Sequence, residues 1–329
     1  MIQVTLFTRQ NCKLCDQVHA DLESLQEEVP HQLTLVDVDL HPDLQAAYGS
    51  RIPVVEVGPY KLEAPIDRMK LHMFLGAARD RAAQKQAGDD PNYAKRLQRG
   101  RTLSRSDRIT YWFSKNYLAV INIFLFLYVG LPFLAPVLMN AGKPALARPI
   151  YSLYGAVCHQ MAFRSWFLFG DQPAYPRLSA GVDGLDSYAL ATGENEADYW
   201  AARRYIGSSQ VGYKVAYCQR DVAIYAAMLL FGLIYAVTRR RIPALPFILW
   251  LLVGIAPIGL DGFSQLLSQY PGFSLWPYRE STPFLRTLTG SLFGLTTAWF
   301  GIPLLQESMD EARVFVASKI ARLNQSAGS

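Results

Sequence analysis

The sequence predicts a soluble α/β domain at the N-terminus, followed by an all-α membrane domain with about four transmembrane helices. Three observations predict this fold class. Residues 1–78 contain strand-like apolar runs between segments with helical spacing. Residues 116–306 contain uncharged tracts long enough to cross a bilayer. Only 18% of the residues are charged, and arginines cluster beside the apolar tracts, a pattern typical of membrane topology rather than nucleic-acid binding.

The first element is a short strand that leads into a pair of cysteines. Apolar residues from Ile2 to Thr8 predict the strand, and helical spacing begins at the C-x-x-C motif formed by Cys12 and Cys15. We expect Cys12 at the start of the helix, where free backbone N–H groups and the helix dipole favour a thiolate. Cys15 follows one turn later and can attack a mixed disulfide formed on Cys12. A structural zinc site is the alternative, but the chain has no second C-x-x-C motif.

The next segments complete the N-terminal domain. Gln32 to Val38 alternates like a strand, and Pro53 leads into a second apolar run. Tyr60 to Leu62 is the predicted hairpin partner of that run, and Ile66 to Ala78 is the predicted closing helix. The predicted order of elements is therefore β-α-β-α-β-β-α.

This order, with its cysteine pair and its proline before a strand, resembles the thioredoxin fold and specifically its glutaredoxin-like branch. The resemblance covers residues 1–78. It implies that Cys12 is the nucleophile, Cys15 is the resolving cysteine, and Pro53 is a cis-proline that presents the Ile52 backbone to an extended substrate. It also implies protein or small-molecule disulfides as partners and glutathione as a reductant.

A basic linker, residues 79–115, joins this domain to the first apolar tract. A site for anionic lipid headgroups is one interpretation, and a positive-inside anchor is preferred. The basic residues that approach the tract are Lys95, Arg96, Arg99, Arg101, Arg105 and Arg108.

Four tracts of the membrane domain, residues 116–306, have the length and composition of transmembrane helices. Gly290 and Gly294, four residues apart, favour close packing between helices. The predicted spans are residues 118–137, 222–238, 242–260 and 287–306.

Basic residues beside the spans predict the orientation. They precede the first span, form Arg239 to Arg241 between the second and third, and follow the fourth. An even number of spans puts all three groups on one side, which should be the cytoplasm. The expected location is a bacterial inner membrane, with residues 140–221 on the outer side. Residues 307–329 are predicted to form an amphipathic cytoplasmic tail on the inner membrane surface.

The segment between the first two spans is harder to assign. Pro149 to Phe163 is uncharged but short, and a fifth span there would put later basic residues on the wrong side. We therefore prefer an interfacial or re-entrant helix. Asp171 to Tyr217 has a loop-like composition, with a short helix predicted from Glu196 to Tyr205.

Several polar motifs lie at the ends of the apolar tracts. They resemble a family of uncharacterised bacterial membrane proteins in which Cys-His-Gln is followed by Cys-x-Arg-Cys and then by Asp-Gly. The resemblance covers most of residues 118–305 and implies an architecture rather than an activity. Asp221 stands where the family has a second cysteine, and the segment between the two cysteine motifs is longer than expected. The matching motifs are Cys158-His159-Gln160, Arg164-Ser165, Cys218-Gln219-Arg220, Ile224-Tyr225, Asp261-Gly262 and Arg286 with Gly290.

The cysteines of the membrane domain allow three interpretations. Cys158, His159, Cys218 and Asp221 form an S-N-S-O set that could bind one zinc-like ion. Alternatively, Cys158 and Cys218 form a disulfide, or both are buried apolar side chains.

Asp261 is a carboxylate at the end of an apolar span. Such a group needs a partner, and Arg279 or Arg286 could pair with it. A structural ion pair is preferred over a role in proton relay.

Together these features predict a membrane-tethered, glutaredoxin-like thiol–disulfide oxidoreductase that uses Cys12 and Cys15. The competing hypothesis is a redox-sensing transporter or metal-handling membrane protein. A passive membrane anchor is a third. A transmembrane electron relay is disfavoured because no cysteine falls within the four predicted spans.

Overall fold

The computed structural model describes residues 2–87, 100, 102–270, 272 and 276–326. Residues 88–99 and 101 of the basic linker, which include Lys95, Arg96, Arg99 and Arg101, lie outside these residues. The chain divides into two compact units. We call residues Met1–Asn116 with Glu307–Ser329 the N-terminal unit, and Tyr117–Gln306 the helical unit.

The N-terminal unit contains a four-stranded mixed sheet with the order β2-β1-β3-β4. Strand β1 pairs in parallel with β2 and antiparallel with β3, and β4 is the hairpin partner of β3. The predicted α/β class and order of elements are confirmed. The elements are β1 (Ile2–Thr8), α1 (Lys13–Ser24), β2 (His31–Asp37), a 3₁₀ turn (Val38–Leu40), α2 (Pro42–Tyr48), β3 (Val54–Val57), β4 (Tyr60–Glu63) and α3 (Arg68–Ala87).

Alternating side chains of β1 and β3 enter two cores on opposite faces of the sheet, because successive residues of a strand point to opposite sides. One core contains Leu6 and Val55 together with apolar residues of α1 and α3. The other contains Phe7 and Val54 together with residues of α2. The sheet is therefore covered on both faces.

Among the residues that the structure describes, the helical unit is built on four long apolar helices, which confirms the predicted four candidate membrane-spanning helices. The unit also contains a small sheet, which the predicted all-α class did not include. Two of the four helices, α4 and α10, extend beyond the limits of this unit. The helices are α4 (Arg105–Asn140), α8 (Gln219–Val237), α9 (Phe247–Ser268) and α10 (Pro283–Ser326).

The third helix differs from the predicted span of residues 242–260. Helix α9 begins at Phe247 and extends to Ser268, and its residues Trp250–Ile255 form a π-helical segment. Two prolines explain the late start, because Pro243 and Pro246 lack the N–H that a helix interior requires. The residues from 242 to 246 are non-helical.

The segment between α4 and α8 contains more structure than its loop-like composition predicts. Helix α5 has 12 residues, so it is only about 18 Å long and cannot cross the apolar part of a bilayer. A three-stranded antiparallel sheet with the order β5-β7-β6 follows it. The elements are α5 (Pro144–Gly155), β5 (Ser165–Leu168), α6 (Tyr188–Thr192), α7 (Tyr199–Arg204), β6 (Gly207–Ser208) and β7 (Gly212–Cys218).

Residues 307–326 continue α10 and do not form a separate interfacial helix. Val314, Ala317 and Ala321 pack against the second core of the N-terminal unit. Lys319 Nζ donates to Asp107 Oδ2 at 2.7 Å, and Arg322 Nη1 donates to the buried Glu56 at 2.7 Å. These three residues of the apolar face that the sequence assigned to the membrane surface thus contact protein, whereas Phe315 is 62% exposed.

Candidate functional site

The N-terminal cysteines lie where β1 leads into α1. Cys12 is the N-cap of α1 and has an extended backbone, and its Sγ accepts a hydrogen bond from the Cys15 backbone N–H at 3.2 Å. Its carbonyl accepts from the backbone N–H groups of Cys15 and Asp16. Cys12 and Cys15 form a disulfide, with Cα atoms 5.2 Å apart. The helix N-terminus thus directs N–H groups toward the sulfur of Cys12.

The two cysteines differ in accessibility. Cys12 is partly exposed, whereas Cys15, in the first turn of α1, is 1% exposed. An attacking thiol must be reachable by a second molecule, and a resolving thiol needs to reach only its partner. The exposure of the two side chains therefore fits the predicted roles.

Pro53 lies at the same end of the strands as the cysteine loop. Val54 pairs with Phe7, so the residue before Val54 lies beside the end of β1 that leads to Cys12. Pro53 is buried, and the Ile52–Pro53 peptide bond is cis. The register of β1 and β3 thus brings Cys12, Cys15 and Pro53 to the same end of these two strands.

A second cysteine pair lies in the helical unit. Cys158 follows α5, and Cys218 is the last residue of β7 and the N-cap of α8. Their sulfur atoms are 2.7 Å apart. One ligand atom each of Cys158, Cys218 and Asp221 lies within 4.8 Å of the others. The structure therefore brings three of the four predicted metal ligands together, whereas His159 is exposed and does not join this group.

Buried polar side chains hold the loop that carries Cys158. Gln160 is 4% exposed, and its side-chain amide donates to the carbonyls of Tyr151 and Ala216 at 2.9 and 2.8 Å. Lys214 donates in turn to the carbonyl of Gln160 at 2.8 Å. The loop is thereby tied both to α5 and to β7.

Lys214 is itself unusual because it is a fully buried amine on a β-strand. Its Nζ donates to two backbone carbonyls, those of Gln160 and Arg203. Burial lowers the pKa of Lys214 to about 7. Its two hydrogen bonds support the cysteine loop, and within the part of the chain that the structure describes Lys214 forms no salt bridge.

The thiols of Cys158 and Cys218 interact directly. A hydrogen bond between them raises the pKa of Cys158 and lowers the pKa of Cys218. Loss of the first proton is thus favoured at Cys218, which lies at a helix N-terminus.

Two buried carboxylates organise the polar end of the helical unit. Asp261 accepts from Arg220, from Arg279 at 2.6 Å and from Ser281 at 2.6 Å. The predicted pairing of Asp261 with Arg279 is therefore present.

Arg286, the other predicted partner of Asp261, pairs instead with the neighbouring Glu280. It donates to Glu280 at 2.6 Å, and Arg164 and Gln265 donate to the same carboxylate at 2.9 Å. Glu280 is 5% exposed, and the paired arginines neutralise its charge inside the protein. These ion pairs explain the arginine-rich motifs structurally.

Sequence reasoning did not assign a role to Gln160, Lys214 or Glu280. Lys214 interrupts an otherwise apolar strand, and two of the arginines that pair with Glu280, Arg164 and Arg177, lie more than 100 positions away in the chain. Only the Cys-His-Gln motif drew attention to Gln160. Their roles depend on which backbone carbonyls and cations face them, and the fold determines this.

Comparison with known proteins supports the division of the chain. A glutaredoxin-like domain family (DUF836) matches residues 3–78, and a predicted membrane protein family (DUF2085) matches residues 209–300. An uncharacterized protein of Methanocaldococcus jannaschii is 25% identical over 199 residues, which cover 59% of this chain and 94% of that protein. No solved structure matches the chain. The chain is therefore a membrane-associated protein in which a glutaredoxin-like domain precedes a helical domain that matches a family of predicted membrane proteins.

Proposed function

We propose that this protein is a membrane-tethered thiol–disulfide oxidoreductase whose active cysteines are Cys12 and Cys15. The observation that carries the proposal is the position of Cys12 at the N-cap of α1, partly exposed, with the buried Cys15 one turn away. This arrangement favours a thiolate at the accessible sulfur and keeps the resolving thiol within reach. Protein substrates or small disulfides would bind at the end of the strands where Pro53 and the cysteine loop lie.

The reaction transfers two electrons from the cysteine pair to a substrate disulfide. The Cys12 thiolate attacks one sulfur of the substrate, which forms a mixed disulfide and releases the other substrate sulfur as a thiolate. The Cys15 thiolate then attacks the Cys12 sulfur, forms the Cys12–Cys15 disulfide and releases the second substrate thiol. Two molecules of glutathione, or a dithiol reductase, restore the two thiols and are themselves oxidised.

The test uses the full-length chain in detergent micelles with glutathione as reductant and two substrates, a small disulfide and a glutathionylated peptide. Cys12→Ser should reduce both activities to background. Cys15→Ser should retain deglutathionylation, because that reaction needs only the attacking thiol and a second glutathione. If Cys12→Ser retained either activity, Cys12 would not be the nucleophile.

We also propose that the N-terminal domain is cytoplasmic. The basic run Arg239 to Arg241 after α8 supports this orientation, because cytoplasmic loops carry an excess of arginine and lysine. In a background that lacks native cysteines, single cysteines introduced at positions 241 and 193 can be labelled with a membrane-impermeant maleimide. Only position 193 should react in intact cells. Labelling at position 241 from outside would contradict the orientation.

A further inference from the structure

We propose that Cys158, Cys218 and Asp221 bind a thiophilic divalent cation of the zinc class through two thiolates and one carboxylate. This site is separate from the Cys12–Cys15 pair in sequence and lies within the helical unit. The proposal does not depend on the oxidoreductase activity proposed above.

The first support is the convergence of three donors, two at the start of α8 and one on the loop after α5. Cys158 lies on the loop after α5, Cys218 ends β7, and Asp221 lies in the first turn of α8. Their ligand atoms lie within 4.8 Å of one another. Zinc–sulfur bonds of about 2.3 Å and zinc–oxygen bonds of about 2.1 Å place tetrahedral donors about 3.6–3.8 Å apart. Closing the site therefore requires donor movements on the order of 1 Å, and the two sulfurs would move apart.

The loop and strand are held well enough to present these donors. Ser165 of β5 pairs with Cys218, and Gln160 and Lys214 fasten the Cys158 loop by hydrogen bonds to backbone carbonyls. Cys218 makes no side-chain cap hydrogen bond to α8. Its sulfur is thus available to a ligand rather than used to complete the helix.

The second support is the charge of Asp221. This carboxylate is partly buried, and among the residues that the structure describes it forms no ion pair. Arg220, His159 and Arg286 act on the carboxylate through space, but Arg220 pairs with Asp261 and Arg286 pairs with Glu280. The Cys158 thiol is its hydrogen-bond partner. A buried carboxylate without a cation is costly. A divalent ion would supply that cation, whereas a Cys158–Cys218 disulfide would leave Asp221 as it is.

The donor set also specifies the kind of ion. Two thiolates select zinc-like or softer cations over magnesium or calcium, which prefer oxygen ligands. Binding displaces one proton from each thiol, so two protons are released for each ion bound. The two thiolates, the carboxylate and the divalent ion together carry a net charge of −1. The arginines nearby would stabilise that negative charge. Three protein ligands leave one coordination position for water or another small ligand.

The experiment measures metal binding by the full-length chain in detergent, in a Cys12→Ser/Cys15→Ser background that removes the N-terminal thiols. The protein is reduced, stripped with chelator and loaded with Co²⁺ as the probe. Elemental analysis gives the stoichiometry, and thiolate-to-cobalt charge-transfer absorption reports sulfur ligation. We expect about one Co²⁺ per chain. Cys158→Ser or Cys218→Ser should abolish the charge-transfer band.

Asp221→Asn provides the sharper variant because it keeps both thiols and the side-chain size. It should weaken Co²⁺ affinity by at least about tenfold, the scale seen for lost metal-site interactions. The matched control Asp171→Asn, at an exposed aspartate of the same unit, should leave affinity unchanged. His159→Gln should also retain one ion, because its exposed ring is outside the donor group.

Several outcomes would overturn the proposal. One is the absence of Co²⁺ from reduced protein that keeps its tryptophan fluorescence and elution volume. Another is equal affinity in Asp221→Asn and Asp171→Asn, which would remove the carboxylate from the site. A third is a Cys158–Cys218 disulfide in chain freshly isolated under thiol-blocking conditions without bound metal. Because Cys12 and Cys15 are absent, none of these outcomes bears on the proposed oxidoreductase.

Discussion

The close contact between α8 and α10 predicts a large effect of one methyl group at Gly294. A Cβ atom added there would lie 2.1 Å from the backbone oxygen of Ile224 and 2.8 Å from its carbonyl carbon. Backbone atoms cannot rotate away, so the helices would have to separate by about 1 Å. Overpacking of this kind costs about 1–3 kcal/mol, while replacing a helical glycine by alanine gains about 0.5–1 kcal/mol. We therefore expect Gly294→Ala to destabilise the helical unit by about 1 kcal/mol.

The matched control is Gly301→Ala on the same helix, where an added Cβ meets nothing within 4 Å. That variant should be neutral or stabilised by up to about 1 kcal/mol. Thermal unfolding in detergent can be followed by tryptophan fluorescence, since five of the six tryptophans lie in the helical unit. The expected loss at Gly294 corresponds to a decrease in Tm of roughly 2–4 °C. Equal melting temperatures for the two variants would refute the argument that the helices are in backbone contact.

Three further predictions concern other parts of the chain. Cys12 should be alkylated faster than Cys15 in the reduced protein, as mass mapping after brief exposure to iodoacetamide can show; faster labelling of Cys15 would reverse the assigned roles. Lys214→Met should flatten the pH dependence of Tm between pH 7 and pH 10. In that range Lys214 of the unfolded wild-type protein holds a proton that the folded protein lacks. The stability of the wild-type protein should therefore rise with pH by up to about 1.4 kcal/mol per pH unit. An unchanged slope would contradict the lowered pKa of that amine. Ala321→Glu should destabilise the N-terminal unit by about 3 kcal/mol or more, because it buries an unpaired charge. The control Asn324→Glu, at an exposed position, should not. Resistance to proteolysis can compare the two variants, and equal resistance would argue against the buried position of Ala321.

The N-terminal domain was predictable because local patterns agree with its tertiary structure. The period of apolar residues identified the strands and α1, and the C-x-x-C motif identified the start of that helix. The apolar tracts identified the four long helices for a similar reason, since an uncharged stretch of this length has few other structures available. Helix boundaries were less predictable, and Pro243 and Pro246 delayed the start of α9.

The surface that the C-terminal amphipathic segment contacts could not be predicted from its pattern. An apolar stripe looks the same in sequence whether it contacts lipid or protein. In the structure Val314, Ala317 and Ala321 meet the core beside Phe7, and Arg322 meets Glu56. These partners lie more than 200 positions away in the chain, so no local signal could reveal them.

The cysteine cluster was only partly predictable for a related reason. The sequence grouped Cys158 and His159 because they are adjacent, but neighbouring side chains on an irregular loop point in different directions. Cys158 is buried and His159 is exposed. Cys218 and Asp221 are three residues apart at the start of a helix, a spacing that brings them to one side of the first turn.

The most direct test of the central claim is to trap the exchange intermediate on the full-length protein. Cys15→Ser is incubated with a disulfide-containing peptide, and the products are digested without reduction and mapped by mass spectrometry. We expect a mixed disulfide between the peptide and Cys12 that persists because the resolving thiol is absent, and no such adduct in Cys12→Ser. An adduct at Cys158 or Cys218 alone, with Cys12 unmodified, would contradict the claim that the N-terminal pair performs the exchange.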